Sequence, residues 1–288
     1  MNAIRDIAPE SIDRTVSEVI TGVAATDGAG VELTRVIGSP QLNMLDPFLL
    51  LDRFSSDKRE DYIAGFPPHP HRGFETVTYL LHGRMRHKDS AGHEGVIETG
   101  GVQWMSAGSG VIHSEMPEQE DGLLAGFQLW INLPAAHKMD PAAYQEYDRD
   151  RIPVETRNDG VEVRVVAGAT SLGTRGPVIQ PLTDPLYLDV DIPAGGLFAE
   201  EVPEGHNAFV FVIEGRTVIG EHTLEPEQLA VLTHGRAVTL AAGDEGARFL
   251  LVAGRPLRES VARGGPFVMN IQDEIRQAFA DYKNGTLV

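Results

Sequence analysis

An all-β fold is predicted for this 288-residue chain by three features. Its apolar runs are short, rich in Val, Leu, Ile and Phe, and often alternating. Its 31 glycines and 18 prolines are spread along the whole length and punctuate those runs. A nine-residue strand-and-turn pattern also occurs twice. In chain order the clearest strand runs are residues 76–81 (TVTYLL), 127–131 (FQLWI), 161–165 (VEVRV), 209–213 (FVFVI) and 249–252 (FLLV), spaced as in sandwiches and barrels.

The repeat aligns residues 76–84 (TVTYLLHGR) with 208–216 (AFVFVIEGR), an offset of 132 residues from Gly83 to Gly215. Residues 133–160 between the copies are polar and break the strand pattern, so a boundary is expected there, dividing the chain into 1–145 and 146–288. On its own the repeat fits two unrelated hairpins as well as a duplication. One helix closes the chain. Ile271, Ile275, Ala278, Phe279 and Tyr282 fall on one helical face, Asn270 is the expected N-cap, Asp273 and Glu274 suit the first turn, and Asn284-Gly285 stops it. This helix is expected to pack against a sheet.

Lys and Arg number 24 against 42 Asp and Glu, a net charge of -18 that repels a phosphate backbone and argues against direct nucleic-acid binding. With no cysteine there is no disulfide, thiolate zinc site or iron-sulfur cluster, so any metal must sit on His, Asp and Glu. No apolar run is long enough to span a membrane, and no secretory or transit signal is visible, so a cytoplasmic protein is expected.

Six of the ten histidines, His69, His71, His82, His87, His93 and His113, lie between positions 69 and 113. The spacing is more informative than the clustering. His69-Pro70-His71 and His113-Ser114-Glu115 are both i, i+2 pairs, and side chains two apart on an extended chain share a face. Two adjacent strands would therefore converge three imidazoles and a carboxylate, a set suited to one divalent first-row ion with positions left for water, dioxygen or a bidentate substrate. Fe(II) is the first choice, and Mn, Ni, Cu or Zn suit the same donors. Pro67, Pro68 and Pro70 cannot donate ladder hydrogen bonds and place His69 and His71 at a strand edge or entrance. His82, His87, His93, His137, His206, His222 and His234 are expected in solvent. Phe74, Trp104 and Trp130 suit a pocket wall, although strand aromatics are more often core, the reading favoured for Trp130.

At these residues the sequence resembles the cupin superfamily and, more closely, the pirin family of bicupins. The cupin pattern is His69-x-His71-x3-Glu75 with Gly83, then Gly110-x2-His113, with departures at Gly65 and Gly108 that are pirin-like. The pirin signatures are LDPF at 45–48, DRF at 52–54, HPHRGFETVTYL at 69–80, QWMSAG at 103–108, HSEMP at 113–117, QLWINL at 128–133, GRPL at 254–257 and GPFVMN at 265–270. They run from about Arg35 to the C-terminal helix; residues 1–30 match none and are expected to form an arm or a surface helix.

The resemblance implies two tandem jelly-roll cupin domains with a metal in the first, held by His69, His71, His113 and Glu115. The second is expected to be metal-free, since the 132-residue offset puts Glu201 and Pro203 where His69 and His71 stand. Glu75 is expected to orient a histidine from behind. The activity implied is quercetinase-type: a metal-dependent dioxygenase opening a flavonol, a small aromatic substrate, with O2 and releasing carbon monoxide. Glu115 is the candidate base as well as a ligand. The alternative is a protein-interaction role set by the metal's redox state, as for animal pirins that act as nuclear cofactors of transcription factors, with a protein partner in place of a substrate.

Overall fold

A computed structural model describes residues 13–157 and 159–288. Strand parity organises the molecule. In the strand Phe74–His82 all residues but the last are buried, because successive side chains enter two different layers. Leu80 packs inside the first barrel with Phe54, Met85 and Ile97, while Val77 and Tyr79 face the second barrel and meet Tyr187, Phe209 and Phe211. A shared apolar layer thus holds the barrels face to face.

The first barrel has a seven-stranded sheet, in spatial order Ala143–Tyr147, Val102–Ser106, Phe74–His82, Leu124–Asn132, Phe48–Ser56, Val31–Ile37 and Val23–Asp27. A four-stranded sheet, Phe66–His71, Val111–Pro117, Arg84–Asp89 and Glu94–Glu98, covers it. In the second barrel the main path runs Val16–Thr21, Gln228–Leu232, Asn207–Ile219, Ala237–Gly254, Leu186–Ile192, Glu162–Ala167 and Val154–Thr156. The two repeat copies, in Phe74–His82 and Asn207–Ile219, occupy the same third place, which makes the repeat a duplication.

Both chain ends cross the expected boundary at 145/146. Val16–Thr21 pairs antiparallel with Gln228–Leu232 and belongs to the second barrel's sheet. The last segment returns to the first barrel: the hairpin Ala262–Gly264 and Phe267–Met269 bridges to Arg72, and Arg72 Nη1 donates to Asp281 Oδ2 at 2.6 Å. Each end covers backbone that the other half leaves open, a choice set by three-dimensional edges and not by sequence distance. Residues 1–12 lie outside the described residues; in the rest of the expected arm, Val16–Thr21 and Val23–Asp27 are strands, the first burying Val16 and Ile20.

The helix spans Gln272–Asn284 and ends at Gly285, whose φ of 70° is left-handed. Its N-cap is Ile271 and not Asn270. The Glu274 carboxylate accepts from the backbone N–H groups of Asn270 and Ile271, which frees the Asn270 side chain to donate to the Ser260 carbonyl. Ile275 and Ala278 are its buried residues, while Phe279 and Tyr282 stay over 40% exposed, because a two-stranded hairpin covers a narrower strip of the helix than a broad sheet would. Among the described residues no helix is long and apolar enough to cross a membrane.

Candidate metal centre

Phe66–His71 is the edge strand of the four-stranded sheet, so its three prolines leave few ladder partners unmet. Its neighbour Val111–Pro117 runs antiparallel and sets His113 directly opposite His69. The three rings converge, with centroids 4.7 Å apart for His69 and His71, 4.4 Å for His69 and His113 and 5.0 Å for His71 and His113. A nitrogen from each lies within 4.8 Å of the other two.

Backbone carbonyls fix the tautomers. His69 Nδ1 faces the Pro67 carbonyl at 2.8 Å and His71 Nδ1 the Pro266 carbonyl at 3.2 Å, so each Nδ1 carries the proton. The two Nε2 atoms, left as acceptors, face each other at 3.0 Å. Burial lowers His71 to about 3, so it brings no second proton to that contact near neutral pH, and burial holds His113 well below the usual imidazole value too. Both ring nitrogens of His113 are buried with no hydrogen-bond partner. Lone pairs pointed at one another in a low dielectric are unfavourable unless a cation lies between them, and imidazole nitrogens are good donors to a divalent first-row ion. These residues fit a metal.

Glu115 is buried beside the histidines, but its carboxylate is not among the donor atoms gathered within 4.8 Å. Its Oε1 lies 2.7 Å from the Thr78 hydroxyl, which is also 2.7 Å from Gln128 Oε1. One hydroxyl proton serves one of these; donation to the carboxylate is charge-assisted, and exchanging the O and N of the Gln128 amide lets it donate to Thr78 in turn. Desolvation pushes the Glu115 carboxyl above its ordinary range, while the Thr78 hydrogen bond pulls it back.

Glu75 does not orient a histidine. Its parity turns it into the layer between the barrels, where it accepts from Trp104 Nε1 at 2.9 Å and from Gln180 of the second barrel. Burial lifts it to about 7 against those hydrogen bonds. Trp104 is buried there too, whereas Trp130, expected in the core, is half-buried and lines the pocket, its ring 5.3 Å from His71 and 4.4 Å from Phe74. His82 and His93 are exposed as expected. His87 is not: it is buried across the ladder from Glu115, with Nε2 2.5 Å from Glu146. His206 is also buried, near Asp184.

The centre opens into a pocket of about 730 Å³, whose lining also includes Arg35, Asp52 and Arg263. Thr78, Gln128 and Asp52 lie in the sequence motifs and Arg35 at their start, with no role expected for any of them, although each is a polar residue at an inward position of a strand, a legible signal. Pro266, 195 residues from His71, had no local signal.

Comparison with known proteins gives concordant matches. The family model described as Pirin matches residues 30–131, and that described as Pirin C-terminal cupin domain matches residues 187–288. A pirin-like protein of Caulobacter vibrioides is 51% identical over 272 residues, covering 94% of this chain and 98% of its own. Pirin of Mus musculus is 44% identical over 265 residues, 90% of this chain and 89% of its own. The crystal structure of quercetin 2,3-dioxygenase from Acinetobacter baumannii matches with a TM-score of 0.87 at 35% identity, covering 96% and 98% of the two chains.

Proposed function

The chain belongs to the pirin family, and from that premise we propose that it is a quercetinase-type dioxygenase working at one divalent metal ion held by His69, His71 and His113, with Glu115 beside it. The observation that carries the reading is the meeting of three imidazole nitrogens, two of the rings buried, at a site that opens into a pocket. Iron(II) suits dioxygen chemistry best, and the donor set suits Mn, Ni, Cu or Zn as well. When bound, the ion supplies Lewis acidity toward the oxygens of a flavonol and a route for electrons to dioxygen.

The chain's own residues do the rest. A pocket of about 730 Å³ falls within the roughly 300–1,000 Å³ of small-molecule sites. Trp130, braced by Phe74, offers a flat wall to an aromatic substrate. Glu115 takes the proton of the flavonol 3-hydroxyl; desolvation makes it a stronger base than a surface carboxylate, and Thr78 fixes one of its oxygens so that the other is free for the transfer. The carbonyls of Pro67 and Pro266 hold His69 and His71 in the tautomers that leave Nε2 unprotonated.

Iron(II)-reconstituted protein incubated with quercetin in air tests this directly. Loss of flavonol absorbance with release of carbon monoxide is expected, and neither in a His69→Ala control. Unchanged absorbance with the metal demonstrably bound would overturn the reading.

A further inference from the structure

We infer that this pocket selects aromatic substrates bearing an anionic group, and that Arg263 is the residue that recognises that group. Arg263 lines the pocket from the hairpin strand Ala262–Gly264. The same hairpin carries Pro266, whose carbonyl fixes His71, so the guanidinium is tied to the centre through a short stretch of backbone. Its Nη2 donates to the Leu49 carbonyl at 2.7 Å and its Nη1 to the Asn43 carbonyl at 3.3 Å. Neutral carbonyls position the group without cancelling its charge. Among the described residues no carboxylate lies within 4.0 Å of it.

The other cation of the wall is already engaged. Arg35 donates to both oxygens of Asp52, at 2.8 and 2.6 Å, and to Asp27 at 2.7 Å. Asp52 is almost fully covered, and the Asp27 side chain is 50% exposed, where water screens its surplus charge. Arg263 is thus the half-buried positive charge left for a ligand. A planar guanidinium with free N–H groups matches the oxygens of a carboxylate, a sulfonate or an ionised phenol. The net charge of -18 repels anions at long range, but salt screens that field within about 10 Å, so contact with Arg263 decides selection inside the pocket.

The inference rests on this pocket being the substrate site proposed above. Quercetin and a ring-sulfonated quercetin are titrated into the full-length metal-loaded protein, with quenching of the intrinsic tryptophan fluorescence as the readout. The wild type is expected to bind the sulfonate about tenfold more tightly than the parent. Arg263→Gln abolishes the preference and Arg263→Lys retains part of it, and raising salt from about 50 to about 500 mM shrinks it in the wild type. A preference that survives intact in Arg263→Gln, no preference in the wild type, or no binding of either compound would each overturn the inference. Carbon monoxide release, measured in parallel, separates the two claims: charge-selective binding without release sinks only the dioxygenase reading, and release with equal affinities sinks only the role of Arg263.

Discussion

One row of residues running across both barrels sets the two halves of the molecule apart. In the first barrel the strand registers align Gln103, Thr78, Gln128, Asp52 and Arg35 side by side. The matching row of the second barrel, strand for strand, is Ala230, Val210, Leu251, Leu188 and Val165. All five side chains belong to the second barrel's packed interior. The same backbone thus carries a polar wall in one copy and a close-packed core in the other. The first barrel packs Leu33, Phe54, Leu80 and Met85 together at one place and sets the histidines at another, beside Phe74 and Trp130. A duplicated fold can assign stability to one copy and chemistry to the other.

The sharpest way to break this contrast is to remove the donors that the second barrel lacks. His113→Ala is expected to weaken binding of a divalent ion by about a hundredfold or more in a chelator competition titration. Unchanged affinity would mean the ion sits elsewhere. The next effect concerns the tail that closes the first barrel. Arg72→Ala takes the guanidinium away from Asp281, which keeps only Gln277, and from the Ser109 carbonyl, so the urea midpoint should fall; an unchanged midpoint would detach this pair from the closure of the barrel.

The interface between the barrels titrates. The folded Glu75 carboxyl, near 7, stands above its unfolded value of about 4.3, so between those values the folded chain keeps a proton that the unfolded chain has lost. Stability present below about pH 4 is therefore lost as the pH rises through 7. Glu75→Gln abolishes that loss: relative to wild type it should gain about 2–3 kcal/mol between pH 4 and pH 8, and a pH-independent difference would contradict the assignment. The smallest effect comes from making the polar row resemble its apolar counterpart. Thr78→Val should leave metal content intact and lower flavonol turnover about tenfold, because Glu115 loses the hydroxyl that holds it. Equal turnover would remove Thr78 from the account.

The sequence carried the fold class and the histidines because both depend on local periodicity. The i, i+2 spacing put His69 and His71 on one face of one strand, and the prolines marked that strand as an edge. Glu75 stands at a motif distance from His71, but the parity of its own strand sends it to the opposite layer. The burial of His87 depends on what lies across the ladder, which hairpin spacing does not encode. The contribution of Pro266, and the exchange of both chain ends between barrels, are contacts between residues some 200 positions apart, which no local pattern encodes.

X-ray absorption at the iron edge, combined with metal analysis of the iron-reconstituted protein, tests the central claim most directly. One equivalent per chain is expected, with the multiple-scattering pattern of three imidazoles, and both should disappear when His69, His71 and His113 are replaced together. A full equivalent with oxygen-only scattering, or one retained by that triple variant, would contradict the assignment of these histidines as the metal centre.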